Sequence, residues 1–354
     1  MQTDAQALWS QLVAGGLAAG DAPAAGEMHT PWYVRVMLGI AGIIAAFFLF
    51  GFVGVAFVFV LQSQSASIAV GLMVIAAAYL IFRAAPRNDF TVMFALAVSI
   101  AGQGLVIAGL RPSTQISSWA AFALLEATLA ILMPNAIHRF LSSYAAAIAF
   151  GFVCALSHAY ALAGGAAAVP VAWIWFNEAQ LSQRHSLVAS IGYGLTLALI
   201  HLEATSRYGG VLPWSAESGR AAVMGNWTAP GEALVVVTLI AAVAALLRRN
   251  GAMPQAPKML LGLLAATMVG AASFKAPGIA AGLMIALLGF SNGNRVLTGV
   301  GISALLFYVS SYYYFLDATL LTKSGVLLAV SLALLLARWL VLNVLMPDEE
   351  HRNA

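Results

Sequence analysis

Charge is scarce in this chain of 354 residues: only 8% of them are Asp, Glu, Lys or Arg, whereas 62% are hydrophobic. Soluble domains are about 45–50% apolar, so the composition excludes a soluble multidomain protein. Cys154 is the single cysteine, which excludes an intramolecular disulfide. No Lys or Arg precedes Arg35, so the start of the chain lacks the basic segment of a cleaved signal peptide. We therefore expect the first apolar segment to stay as a membrane anchor.

Long apolar runs take the place of the missing charges. About 20 apolar residues form a helix that crosses the hydrocarbon core of a bilayer, about 30 Å thick, and these runs lack the alternation of a membrane β-barrel. The sequence predicts an all-α protein, a polytopic transmembrane helical bundle of about twelve spans, with ten to twelve as the range. The predicted spans are 33–61, 67–82, 90–110, 117–133, 140–162, 166–181, 187–204, 233–247, 259–272, 278–290, 296–315 and 326–345.

The basic residues predict the orientation of these spans, because cytoplasmic loops are enriched in Lys and Arg. With twelve spans and the N-terminus inside, eleven of the sixteen basic residues fall on the cytoplasmic side and five on the outer side. We expect both termini to be cytoplasmic, with tails at 1–30 and 347–354 around a transmembrane domain at 31–346. The net charge of +3 then reflects topology and is no argument for nucleic-acid binding. Apolar residues in the first tail fit either a short surface helix or a frayed tail.

Glu126 is the clearest candidate for a functional residue inside the membrane. It lies near the middle of its predicted span, with apolar neighbours on both sides. A charged group at this depth costs about 2.5–3.5 kcal/mol on insertion scales, which makes an intramembrane carboxyl group a candidate functional site. An apolar setting favours the neutral acid, as a proton-linked site requires. The alternative is a neutral carboxyl group that hydrogen-bonds to a neighbouring helix and has a structural role.

Further polar residues of the predicted spans complete a candidate intramembrane site with Glu126: Gln103, His158, His201 and Glu203. Together they would line a polar cavity that opens to the outside. Each has a structural alternative as well. The amide of Gln103 suits an interhelical hydrogen bond, histidines near helix ends reach interfacial water, and Glu203 stands four residues before Arg207, with which it can pair.

Sequence motifs of enzymes are missing from the chain. It has no HExxH or CxxC metal pattern, no GxSxG nucleophile turn and no phosphate-binding GxxxxGK[ST] loop. We therefore predict no catalytic residue, metal site or cofactor. Tyr312, Tyr313 and Tyr314 end the eleventh predicted span, where aromatic rings commonly mark the membrane interface. A clamp for a ligand or partner is the alternative role for these three tyrosines.

Several segments resemble one known family. They are GFSNGNRVLTGVGISALLFYVSSYYYFLDATLLTKSGVLLAVSLALLLARW from Gly289, PWYVRVMLGIAGIIAAFFLFGFVG from Pro31, SIAGQGL from Ser99 and MPNAIHRFLSSY from Met133. Through them the chain resembles the bacterial membrane proteins of the domain of unknown function family 4401. The resemblance implies a Gram-negative inner-membrane protein, often encoded beside a related polytopic protein and a protein with a GDYxxLxY motif. It implies a hetero-complex with such a partner and no particular reaction.

Two functions fit these observations. The first is an inner-membrane protein, surrounded by lipid, that binds or transports a small solute or ion with proton coupling through Glu126. The second is a non-transporting scaffold subunit that holds an envelope complex, including the GDYxxLxY partner, in the membrane. The carrier rests on the carboxyl group at mid-span, and the scaffold rests on the scarcity of buried polar residues and on the gene neighbours of the family.

Overall fold

The computed structural model describes residues 58–84, 89–111, 115–178, 180–181, 184–208, 229–249 and 256–315, with single positions elsewhere. Within these ranges all regular secondary structure is helical, which confirms the predicted all-α class. The chain divides into two compact units, Met1–Arg111 and Pro112–Ala354. Most of the predicted first and last spans, the N-terminal surface segment and the side chains of Arg207 and Tyr314 lie outside the described residues.

Unit 1 contains α1 (Val58–Gln62), α2 (Gln64–Ala84) and α3 (Asp89–Leu110). Its two long helices pack face to face through glycine. A Cβ atom built on Gly71 would lie 2.7 Å from the carbonyl oxygen of Gly102, and one on Gly102 would lie 2.8 Å from the carbonyl oxygen of Gly71. The backbones of α2 and α3 are therefore in direct contact, as small residues permit between membrane helices.

Unit 2 contains eight described helices: α4 (Ile116–Leu132), α5 (Ala136–Leu156), α6 (Ala161–Phe176), α7 (His185–Tyr208), α8 (Ala229–Arg249), α9 (Ala256–Ser273), α10 (Ile279–Ser291) and α11 (Arg295–Phe315). Helix α5 packs against α4, α6 and α7, and α8 packs against α6, α9 and α10. The fully buried side chains of Trp175, Leu239 and Met284 belong to one hydrophobic core. Large apolar side chains such as Leu124 and Phe290 remain exposed, which suits a surface in contact with lipid.

Ten predicted spans coincide with described helices. Within the described ranges, six helices are long and apolar enough to cross a membrane, and four apolar helices are shorter. The count of twelve spans and the cytoplasmic termini remain predictions.

The clearest boundary error concerns the span predicted at 140–162. Helix α5 ends at Leu156, because His158 takes a left-handed conformation with φ of 55° and the chain turns there. Helix α6 then begins at Ala161 and continues through Pro170, as membrane helices tolerate.

Candidate functional site

Two acidic side chains meet in the interior of unit 2. Glu203 lies near the end of α7, Glu232 lies in the first turn of α8, and their side chains are only 4% and 6% exposed. The two carboxyl groups hydrogen-bond to each other. A carboxylate can only accept hydrogen bonds, so a bond between two carboxyl groups needs a proton on one of them. The geometry of this carboxyl pair therefore requires at least one shared proton.

Ser273 fixes the position of Glu232. Its hydroxyl group donates a hydrogen bond to Oε1 of Glu232 and accepts one from the backbone N–H of Ala280 at 3.2 Å. Ser273 is the last residue of α9 and Ala280 is the second residue of α10. The serine thus joins two helix ends to the carboxyl pair.

Helix α6 packs against the carboxyl pair at a glycine, which has no side chain. Gly164 lies against Oε1 of Glu203, and a Cβ atom at this position would overlap the carboxyl group. Only glycine leaves this space free without a shift of Glu203. Five helices, α6 to α10, therefore contribute to the pair.

A hydroxyl pair stands beside the carboxyl pair. Thr205 donates its hydroxyl hydrogen to backbone carbonyls of α7, with the carbonyl of His201 at 2.9 Å. The hydroxyl group of Tyr160 hydrogen-bonds to Thr205, and since the threonine hydrogen is already used, Tyr160 is the donor. Burial raises the pKa of Tyr160 above its ordinary value of 10.0, and the charge of nearby Glu203 adds to the shift. Tyr160 therefore keeps its hydrogen at neutral pH.

Glu126 lies apart from this pair, on the face of α4 that packs against α5. Its side chain is fully buried, and neither carboxyl oxygen has a hydrogen-bond partner within the described part of the chain. The hydroxyl group of Ser142 on α5 faces this carboxyl group, but its hydrogen bond joins Nδ1 of His138 at 3.2 Å. Ser142 and His138 are both buried as well.

The other predicted site residues have separate surroundings. Nδ1 of His201 lies 2.8 Å from the hydroxyl oxygen of Tyr144 at the contact of α7 with α5. His158 is exposed in the turn after α5. Gln103 belongs to α3 in unit 1, where it is partly buried. Among the described contacts, Glu203 thus joins Glu232, Glu126 faces Ser142, and His201 joins Tyr144.

The tyrosines of α11 also differ in their surroundings. Tyr312 and Tyr313 are partly buried near the end of the helix. Tyr308, one turn earlier, is 1% exposed and donates its hydroxyl hydrogen to the carbonyl of Ile200 at 2.7 Å. Tyr308 therefore packs in the core of unit 2.

Four residues of these sites were not predicted from the sequence: Glu232, Ser273, Ser142 and His138. Glu232 stands one residue before the span predicted at 233–247 and follows Pro230 and Gly231, so the apolar pattern places it in a loop. A signal was present, because an acidic residue in the first turn after proline is typical of a helix start. Ser142 and His138 stand four residues apart on α5, and Ser142 faces Glu126 on α4. This relation becomes visible only once the two helices are paired.

A groove of about 620 Å³ lies at the opposite end of α8 from Glu232, lined by Phe176, Ala241, Ala244, Ala245, Arg248 and Arg249. It therefore gives no access to the carboxyl pair. Within the described ranges, no three His, Cys, Asp or Glu side chains come together as metal ligands.

These helices and the polar groups buried between them define an α-helical protein of membrane character. More particularly, the chain belongs to the family described as a domain of unknown function, DUF4401, which matches residues 31–344. The family that the sequence motifs suggested is thus confirmed over nearly the whole chain. Comparison with curated proteins and with solved structures finds no match.

Proposed function

We propose that the protein is an integral membrane protein that binds and releases a proton at Glu203 and Glu232, and that it couples this exchange to the movement of a small solute or ion. The observation that carries the proposal is the hydrogen bond between the two buried carboxyl groups. Two carboxyl groups that share a site cannot easily both ionise, so the pair gains and loses protons in linked steps.

The position of the pair supports exchange with one side of the membrane. Glu203 lies near the end of α7 and Glu232 at the start of α8, so both carboxyl groups lie near the same end of the bundle. Tyr160 and Thr205, at the same end, supply a hydroxyl donor and acceptor beside them. A proton thus has only a short distance to travel between this end and the pair.

The test is a pH jump on the full-length protein, reconstituted into liposomes that are adsorbed to a solid-supported electrode. Wild-type protein should give a transient current as a proton enters the buried pair. Glu203→Gln should abolish most of this current, because the amide still bonds to Glu232 but no proton is shared. Equal currents in wild type and Glu203→Gln would refute the proposal.

Glu178→Gln is the matched control. Glu178 accepts a hydrogen bond from Asn292 at 2.9 Å and lies 3.9 Å from His185, near the opposite ends of α6 and α7. This variant should keep the wild-type current.

A scaffold subunit is the second candidate, and the observation that favours it is the number of helices that the pair joins. In this case the hydrogen bonds of Glu203, Glu232 and Ser273 would only hold the bundle together for a partner such as the GDYxxLxY protein. Purification from native membranes, with mass spectrometry, distinguishes the two. Stoichiometric recovery of that partner with both wild type and Glu203→Gln, and identical pH-jump currents, would favour the scaffold.

A further inference from the structure

The unpartnered carboxyl group of Glu126 is the least satisfied polar group in the described part of the chain. Its side chain is completely buried, and both oxygens lack a hydrogen-bond partner. Buried polar atoms are nearly always hydrogen-bonded, so an exception of this kind calls for a physical explanation. A proton on the carboxyl group would supply one, because the acid could then donate to the hydroxyl group of Ser142, which faces it.

The hydroxyl group of Ser142 can hydrogen-bond to Glu126 and His138 at the same time. Its oxygen lies 3.2 Å from Nδ1 of His138, one turn earlier on α5. When Nδ1 carries no hydrogen, the hydroxyl group donates to it and keeps its lone pairs for a hydrogen from Glu126. The three side chains then form one chain of donors and acceptors.

We propose that Glu126, Ser142 and His138 form a proton relay within unit 2. In the forward step, Glu126 gives its proton to Oγ of Ser142 while Ser142 gives its own proton to Nδ1 of His138. The products are a carboxylate, an unchanged hydroxyl group and an imidazolium. The reverse step restores the neutral acid and the neutral imidazole, so no other reactant is needed.

The relay leads from the interior toward one end of the bundle. Glu126 stands six residues before the end of α4, about 9 Å at the rise of an α-helix. His138 lies in the first turn of α5, where its backbone N–H bonds to Oδ1 of Asn135 at 2.9 Å. The relay therefore runs from the interior of α4 to the end of the bundle at which α4 ends and α5 begins.

The carboxyl pair of Glu203 and Glu232 lies at the other end of the same bundle. Tyr160, just after the end of α5, bonds to Thr205 near the end of α7, so the ends of α5 and α7 lie together. Glu203 is at that end, whereas His138 is at the start of α5. Unit 2 therefore holds two acidic sites that face opposite ends of its helices.

Few other charged groups face the relay from the helices around it. Arg139 follows His138 on α5 and has a buried Nε without a partner among the described residues. Helix α6 has no titratable side chain. The described titratable side chains of α7 all have partners of their own. His185 lies 3.9 Å from Glu178, Tyr193 donates to Oδ1 of Asn294 at 2.9 Å, Nδ1 of His201 bonds to Tyr144, and Glu203 belongs to the carboxyl pair.

The test is nitrogen-15 NMR of the full-length protein in lipid nanodiscs, with labelled histidine and His138 assigned through the His138→Gln variant. The protonation of His138 is followed as the pH is changed. Glu126→Gln should lower the proton affinity of His138 about tenfold, since the carboxylate that stabilises the imidazolium is lost. Ser142→Ala should change it in the same direction, because the hydroxyl link between the two groups is removed.

Ser143→Ala is the matched control, and it should leave His138 unchanged. Ser143 is the next residue on α5 and equally buried, but its hydroxyl group donates to the carbonyl of Phe140 at 3.0 Å. If Glu126→Gln fails to fold, Ser142→Ala still decides the question. An identical titration of His138 in wild type and Ser142→Ala would overturn the relay, whatever the pH-jump currents of the carboxyl pair show.

Discussion

The two units of the chain use the same apolar composition in different ways. In unit 1, the buried polar residues within the described part are only Ser67 and Ser99, and α2 and α3 meet through glycines. In unit 2, carboxyl groups and an imidazole are buried between helices, namely Glu126, His138, Glu203 and Glu232. The buried groups that can exchange protons therefore lie in unit 2 among the described residues, whereas α2 and α3 of unit 1 are held by close packing of small residues.

This difference has a physical consequence for mutagenesis. Contacts between small residues depend on dispersion and on close approach of the backbones, so they respond to side-chain volume. Contacts between buried polar groups depend on a complete set of donors and acceptors, so they respond to the number of available hydrogens. Variants that change side-chain volume should therefore affect unit 1 most, and variants that change hydrogen-bonding groups should affect unit 2 most.

The largest effect is expected from Gly71→Leu in unit 1. The new side chain would meet the backbone of Gly102 and the side chain of Val106, and overpacking of this kind costs about 3 kcal/mol. Thermal unfolding in detergent measures the loss. Gly104→Ala is the control, because its Cβ meets open space, and it should stabilise α3 by about 0.5–1 kcal/mol. Equal unfolding temperatures for Gly71→Leu and wild type would contradict the close packing.

Much of this fold was predictable from the sequence, and the reason is the strength of the apolar pattern. The span predicted at 90–110 and helix α3 agree to within one residue, since charges and prolines bound that run on both sides. The boundaries near His158 were wrong, because a left-handed turn leaves little trace in hydropathy. The contact of Gly71 with Gly102 could not be predicted, since the identity of the facing helix is a tertiary property.

The site was predictable only in part. Glu126 and Glu203 stood out as carboxyl groups in apolar runs, and both are buried as such a position requires. The sequence can place Glu232 at a helix start, but its pairing with Glu203 and Ser273 could not be predicted, because a contact between different helices is a tertiary property. A hydrogen bond between two acids needs a proton on one of them and apolar surroundings for both, and hydropathy carries no information on which side chains meet.

The next largest effect is expected at the carboxyl pair. Glu232→Ala would remove the hydrogen bonds that Glu203 and Ser273 make to this carboxyl group, at a cost of about 2 kcal/mol. Replacing both acids with methionine removes both polar groups at once. The double variant should therefore lose about 1 kcal/mol less than the sum of the two single methionine variants. Chemical unfolding of wild type, the two single methionine variants and the double variant gives this cycle. Strictly additive losses of stability would argue against a direct hydrogen bond between the two acids.

Gly164→Ala tests the same site from the side of α6, because it adds volume next to a buried carboxyl group. Its Cβ would overlap the carboxyl group of Glu203, so we expect a loss of about 1–2 kcal/mol. In the Glu203→Ala background the space is free, and the same glycine substitution should then be neutral or stabilising, as alanine favours a helix. Unfolding measurements in both backgrounds decide this, and an equal cost in both would show that the overlap lies elsewhere.

The smallest effect is expected from Tyr308→Phe, which separates a plain hydrogen bond from proton exchange in unit 2. Phenylalanine keeps the ring against Gly278 and loses only the bond to the carbonyl of Ile200. That carbonyl lies within α7 and keeps its acceptor role in the helix, so the loss should be about 1 kcal/mol. Because no exchangeable carboxyl proton is involved, the pH-jump current should equal that of wild type. A reduced current in a stably folded Tyr308→Phe protein would mean that proton access depends on the general packing of this end of the bundle. The pH-jump current could then not be assigned to the carboxyl pair alone.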